Sequence, residues 1–382
     1  MRSLAEELLR GAHQRRGELV ELVLRLASVD APSGAGAQGL APAAAQLAEV
    51  LDSLGGRLSR TPGAQGELLE LELGPSSGPP ALVLGHYDTV WPAGTAASRP
   101  AQLHGAGVIR GPGVFDMRGG IAAAIAALEL LGASRLPARA VMLLTPDEET
   151  GSETSKERIV ELASGARWVL VLEPPLAGGG LKTARSGWAV YRLEANGKAA
   201  HAGLEPERGV SAVDELCDAL RVARGLAAPE HGTTVNAGVI TGGTAANVVA
   251  AEASALLDVR ARTHAEQDRV EAGLQALMPV RRGASLGMDR LHMRPAMEHT
   301  AAVAAAFEHA RAAAALLGIA ISEGAAGGTS DANLIAPLGV PLLDGLGPDG
   351  GGAHAEDEHL LVDSLVTRTA LLALLLAWSP EI

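Results

Sequence analysis

The sequence predicts a mixed α/β fold, a mainly parallel-sheet domain with a ferredoxin-like (split βαβ) domain inserted into it, on three observations. Short apolar runs alternate with helical stretches through the first 185 residues. Between about residues 187 and 295 the order changes to strand, helix, strand, strand, helix, strand. From Thr300 the earlier style resumes. Alternation of strand and helix argues for a largely parallel sheet whose site lies at the strand carboxyl ends. The middle pattern is complete in itself, as an inserted domain must be. A chain of 382 residues also exceeds one ordinary domain. The expected division is 1–185 with 297–382, against 186–296.

Each element rests on its own periodicity. Leu19, Leu22, Val23 and Leu26 recur at helical spacing, and a second helix is expected over 41–54. Apolar runs at 68–73, 81–84, 140–144 and 168–172 predict strands, with a small-residue helix over 119–131 between two of them. In the insert, strands are expected over 188–194, 233–240, 253–262 and 291–294, and helices over 209–226 and 265–278. A long apolar helix over 360–378 closes the chain.

Composition narrows the function. Aromatics are 2% against 47% hydrophobic residues, so the cores must be built from Ala, Leu and Val. The net charge of −13, with no basic cluster, argues against a nucleic-acid partner. No apolar run is long enough to suggest a signal peptide or a membrane span. Cys217 is the only cysteine, which suits a reducing, cytoplasmic setting. It falls among Val213, Leu216 and Leu220, a pattern that predicts a buried thiol. Only three of the 31 basic residues are Lys, so the presence of an Arg carries little information.

Five motifs carry chemistry. In GHYDTV (85–90), His86 and Asp88 are two apart at a strand end and share a face. A ligating imidazole commonly gives its second N–H to a carboxylate. In GPGVFDMRGG (111–120), Asp116 precedes a helix, where it can bridge two cations or simply cap the helix. LLTPDEETGS (143–152) sets Glu148 and Glu149 side by side; such a run is a solvated turn unless one carboxylate binds a metal and the other acts as a general base. Glu173 ends the fourth apolar run, in VLVLEPP. His354 lies on the loop GGAHAEDEHL, with His359 read as a surface residue. Two histidines and three carboxylates suit paired zinc or cobalt ions about 3.5–4 Å apart.

The motifs GHYDTV, DMRGG, PDEETGS, LEP, GKAAHAG and AGGTSDAN, in this order, resemble the di-zinc family of glutamate carboxypeptidases, acetylornithine deacetylase, succinyl-diaminopimelate desuccinylase and aminoacylases. The glutamate carboxypeptidases are the closest in motifs. The resemblance implies two zinc ions, with cobalt or manganese as alternatives. His86, Asp116 and Glu173 would hold one, and Asp116, Glu149 and His354 the other. It further implies a cis peptide after Asp116, Asp88 orienting His86, and Glu148 as the base. The insert becomes a dimerisation or lid domain that sends His201 to the partner subunit of a homodimer. Arg294 matches an arginine that grips a substrate carboxylate, with Asn247, Ser330 and Asn333 as weaker candidates for the same pocket. Where the glutamate carboxypeptidases carry a lysine, Gly180 stands and Lys182 comes two positions later, so the released residue is left open. The expected activity is a carboxypeptidase acting on a small peptide or N-acyl conjugate. The alternatives are an N-acyl-amino-acid deacylase of the same mechanism and a metal-free binding protein on the same fold.

Overall fold

Three apolar runs, at Ala81–His86, Ala140–Thr145 and Trp168–Val171, become strands in which every residue is buried. Strands covered on both faces need such continuous apolar sequence. The computed structural model describes residues 1–75, 77–132 and 135–378. In it these strands pair in parallel within a six-stranded sheet, and Leu342–Leu343 joins Trp168–Val171 in the same sense. The other edge is antiparallel, through Glu67–Leu73 and then Arg57–Pro62. The outermost strand, RLSRTP, has no apolar alternation to betray it; it is mostly exposed and ends in Pro62, as an edge strand can.

The chain divides into two compact units, Met1–Thr183 with His299–Ala325 and Ser330–Ile382, and Ala184–Glu298 with Ala326–Thr329. In the first, helix Gly119–Leu131 is buried along most of its length and packs against Val362–Ala377, which also meets Arg2–Gln14. Small side chains let these helices approach closely, and the core is correspondingly rich in Ala and Leu. Helix Gly36–Asp52 starts five residues before the expected position, because Gly36, Gly39 and Pro42 weaken the helical signal.

The second unit is a four-stranded antiparallel sheet in the order Thr234–Gly242, Glu252–Ala261, Gly187–Asn196, Ser285–Arg294, with helices Ala212–Arg224 and His264–Gln275. Burial alternates along Gly187–Asn196, where Ala189, Tyr191, Leu193 and Ala195 fill the core. Strand Ser285–Arg294 begins six residues before the expected start, since Gly287 and the charges of MDR dilute its pattern. Cys217 corrects another expectation: it is exposed. The buried face of its helix runs through Ala212, Glu215, Leu216, Ala219, Leu220 and Ala223, and one step past Leu216 turns about 100° away. Among the described residues, no helix is long and apolar enough to cross a membrane.

Candidate metal centre

The site grows from loops that follow the buried parallel strands of the first unit. His86 is the last residue of its strand, opposite Thr145. Glu148 and Glu149 open a short turn, Glu148–Thr150, just past Ala140–Thr145. Glu173 lies two residues beyond Trp168–Val171 and is buried. Asp116 sits in the turn Val114–Arg118, its peptide to Met117 is cis, and helix Gly119–Leu131 follows. Asp116 is not the cap of that helix: Arg118 holds the position, and no side chain caps it. His354 occupies the left-handed region at φ 62°, which costs a residue other than glycine about 1–3 kcal/mol and is kept where surroundings demand it.

These groups converge. His86 Nε2 lies 3.3 Å from Asp116 Oδ1 and 3.6 Å from Glu173 Oε1. His354 Nε2 lies 3.3 Å from Asp116 Oδ2 and 3.2 Å from Glu149 Oε1. Asp116 thus presents one oxygen to each histidine. Glu148 also offers an oxygen within 4.8 Å of ligand atoms on His86 and Glu173.

Asp88 is the hub behind them and is fully buried. Its two carboxylate oxygens accept the backbone N–H groups of Glu148 and Glu149, each at 3.2 Å. Ser33 Oγ adds a hydrogen bond at 3.0 Å. The His86 Nδ1 atom stands 3.1 Å from the Asp88 carbonyl and 3.4 Å from its carboxylate. Nor is the acidic run 147–149 a solvated turn. Asp147 is buried and accepts from Thr154 N and Ser155 Oγ, both at 2.6 Å.

The electrostatics are those of crowded, desolvated carboxylates. Burial disfavours charge on His86, yet the carboxylates of Asp116, Asp88 and Glu173 outweigh it and raise its pKa well above the ordinary value. Asp116 and Glu149 raise His354 to about 10. Burial opposes ionisation of Asp116 too, but the two histidines hold its pKa far below the carboxylate range. Burial, aided by the Asp116 charge, pushes Glu149 up against the pull of His354.

A divalent cation fits this arrangement. Donors roughly 2.1 Å from a tetrahedral ion stand roughly 3.4 Å from one another, close to the spacing found here. Among the described residues, Asp116 Oδ1 is buried without a hydrogen-bond partner. Imidazole with carboxylate suits zinc, cobalt or manganese, and a bound cation would take the place of a proton on each ligating histidine nitrogen.

His201 and Asn247 are exposed on the inserted unit and adjacent there, with Ala202 N donating to Asn247 O at 2.9 Å. His201 Nδ1 accepts from Gly203 N and Leu204 N, both at 3.1 Å, which leaves Nε2 as the donor of the neutral ring. Arg294 ends its strand and is buried; nearby, Glu298 accepts from His264 N at 2.7 Å. Ser330 and Asn333 are fully buried in the first unit. Ser330 Oγ donates to Asp344 at 3.0 Å, and Asn333 Oδ1 accepts from Ser330 N at 2.9 Å. Lys182, read as out of place in the sequence, is buried with Nζ 4.0 Å from Glu173 Oε2.

Sequence reasoning passed over Ser33 and Glu358. Glu358 closes the acidic run Glu356, Asp357, Glu358, which reads as solvated, yet it is buried. Its carboxylate accepts from Gly113 N, Phe115 N, Asp116 N and Trp91 Nε1 at 2.7–3.1 Å. Only its place four residues after His354 could have hinted at a link to the site.

The chain is similar to proteins of known family. The chain is 28% identical over 381 residues to Carboxypeptidase G2 of Pseudomonas sp. (strain RS-16), covering 96% of this chain and 90% of that protein. It is 30% identical over 314 residues to succinyl-diaminopimelate desuccinylase of Stenotrophomonas maltophilia (strain K279a), covering 75% and 81%. The fold is shared with aminopeptidase PepT from Bacillus cereus ATCC 10987, at a TM-score of 0.75, 22% identity and coverage of 95% and 98%. It is shared too with the M20 family metallo-carboxypeptidase Sso-CP2 from Sulfolobus solfataricus, at 0.70, 16% identity and coverage of 94% and 98%. The model of peptidase family M20/M25/M40 matches residues 82–378, and the chain belongs to that family of metal-dependent hydrolases.

Proposed function

We propose that this protein is a carboxypeptidase that uses two divalent cations, zinc first, to release a C-terminal amino acid from a small peptide or N-acyl conjugate. The observation that carries the reading is Asp116, whose two oxygens face two different histidines at 3.3 Å each. His86, Asp116 and Glu173 would hold one ion, and Asp116, Glu149 and His354 the other. Bound there, divalent cations supply Lewis acidity and make water easier to deprotonate. Glu148 takes a proton from the attacking water as its oxygen adds to the amide carbon, then delivers it to the nitrogen as the C–N bond breaks. Asp88 keeps both acidic residues in place by holding their backbone N–H groups.

The inserted unit supplies recognition. Arg294 offers a fork of N–H donors to the substrate's free carboxylate, helped by Asn247. Ser330 and Asn333 are weaker candidates for the same pocket. Across a homodimer formed through residues 186–296, His201 Nε2–H stabilises the developing oxyanion. A second reading, an N-acyl-amino-acid deacylase cutting the same bond, is favoured by the similarity to desuccinylases. The cytoplasm is the setting that a single cysteine suits.

One panel tests this. Chelated protein should be inactive, then regain hydrolysis of peptides or acyl-amino acids with zinc, cobalt or manganese at two ions per chain. Full activity after chelation refutes the metal reading. Sedimentation should give a dimer, and His201→Ala should lower kcat about 10²–10³-fold with metal content intact; an active monomer removes that role.

A further inference from the structure

We propose that Glu358 is a positioning residue that joins the loop bearing Asp116 to the loop bearing His354 and thereby sets the geometry of the shared cation site. The inference rests on the metal reading above and adds a residue to it.

The joint is made by one side chain. Glu358 Oε1 accepts from Phe115 N at 3.0 Å and Asp116 N at 3.1 Å. Its Oε2 accepts from Gly113 N at 2.7 Å and Trp91 Nε1 at 2.8 Å. The Glu358 carbonyl accepts Gly111 N at 3.2 Å, so the loop 111–116 is held at four backbone N–H groups. On the other side, Glu358 N donates to Ala355 O at 3.1 Å, closing a turn over 355–358, and Ala355 N donates to Gly352 O at 2.9 Å, closing the adjoining turn that carries His354. The assembly is covered by a stack: the Arg99 guanidinium lies 4.1 Å from the Trp91 ring centroid and donates to Glu356 O at 2.9 Å. Gly113, at φ 70°, adopts a conformation that suits glycine, and a Cβ there would stand 2.8 Å from Thr89 Cγ2. The loop therefore has little freedom to relax if its anchor goes.

Chemistry explains why a carboxylate is required. Each oxygen receives two N–H donors, and only an ionised carboxylate offers acceptors at both ends. A glutamine would turn an NH2 group onto two donors whichever way it faced. Partners behind metal ligands typically cost 10–100-fold in metal affinity when removed.

Zinc titration with a chelating competitor tests the idea in Glu358→Gln, alongside the melting temperature of the metal-free proteins. The expected result is zinc affinity weaker by about 10–100-fold at one site or both, with activity that climbs on adding zinc where wild type is already saturated. A buried but merely structural glutamate would lower the metal-free melting temperature and leave zinc affinity unchanged. A folded Glu358→Gln protein with wild-type affinity overturns the proposal while leaving the metal reading intact. Wild type that binds no zinc, cobalt or manganese overturns both. If Glu358→Gln does not fold, Trp91→Phe decides: losing one donor of four should weaken zinc by about 3–10-fold, and unchanged affinity refutes the role.

Discussion

Glu215 in the inserted unit and Asp116 in the first unit are both carboxylates withdrawn from water, and their surroundings are opposite. Glu215 is fully buried on helix Ala212–Arg224 and accepts from Val280 N at 2.7 Å and Arg281 N at 2.9 Å, with the Arg281 guanidinium at 3.4 Å. Its burial alone would raise its pKa, but these donors win and hold it below the ordinary value. Asp116 faces two histidines that are themselves crowded by Asp88, Glu149 and Glu173. One carboxylate is matched by fixed N–H groups, so its environment is complete within the fold. The other belongs to a cluster of like charges whose natural complement is a cation. Burial therefore does not separate structure from function; the identity of the partners does.

The largest expected effect comes from splitting that cluster by role. Glu148 and Glu149 are neighbours, and both have their N–H groups fixed on Asp88. Glu149 meets His354, whereas Glu148 approaches His86 and Glu173. Glu148→Gln should lower kcat by about 10²–10⁴-fold with metal content near wild type. Elemental analysis beside steady-state rates checks it. Loss of metal would exchange the two roles and erase the distinction between ligand and base.

Much of this site was legible because a buried strand announces itself as an apolar run and its end as the first polar residue. His86 and Glu173 stand out on that ground, and Glu149 lies in the polar turn just past such a run. Asp116 and His354 needed the motifs around them, since neither follows such a run. Glu358 and Ser33 were illegible: their partners are backbone N–H groups, Trp91 and Asp88, brought near only by folding. Arg57–Pro62 was missed because an edge strand needs no apolar alternation. The segment Ala326–Thr329 joins the inserted unit with no pattern of its own. Cys217 was misplaced by one helical step, an error that periodicity cannot resolve when apolar residues flank both sides.

A middling effect should follow from Arg294, a buried guanidinium in the same unit as Glu215. Wild type should prefer a peptide with a free C-terminal carboxylate over its amide, and Arg294→Ala should lose about 10–100-fold of that preference in kcat/KM. Because Arg294 is buried, Arg294→Lys is the companion variant: it keeps the charge but not the fork, and should recover only part of the discrimination. Equal rates on acid and amide by wild type would return Arg294 to the structural class with Glu215.

The smallest effect on catalysis, and the sharpest check of the contrast, belongs to Glu215 itself. If its partners are complete, changing it should touch folding alone. In Glu215→Gln, one oxygen becomes an NH2 group facing an N–H donor, at a cost of about 2–3 kcal/mol in urea unfolding. At saturating metal, kcat and KM should match wild type. The pH dependence follows from the direction of the shift. A carboxylate held below its unfolded pKa stabilises the fold above that unfolded value, near 4.5, and the contribution fades as pH falls through the lower folded value. The stability gap between wild type and Glu215→Gln should therefore be full at neutral pH and shrink in acid. A gap that widens in acid contradicts the assignment of Arg281 and the two N–H groups as its stabilising partners. A variant that unfolds like wild type yet hydrolyses slowly would show that a fully satisfied carboxylate in this protein also serves the reaction.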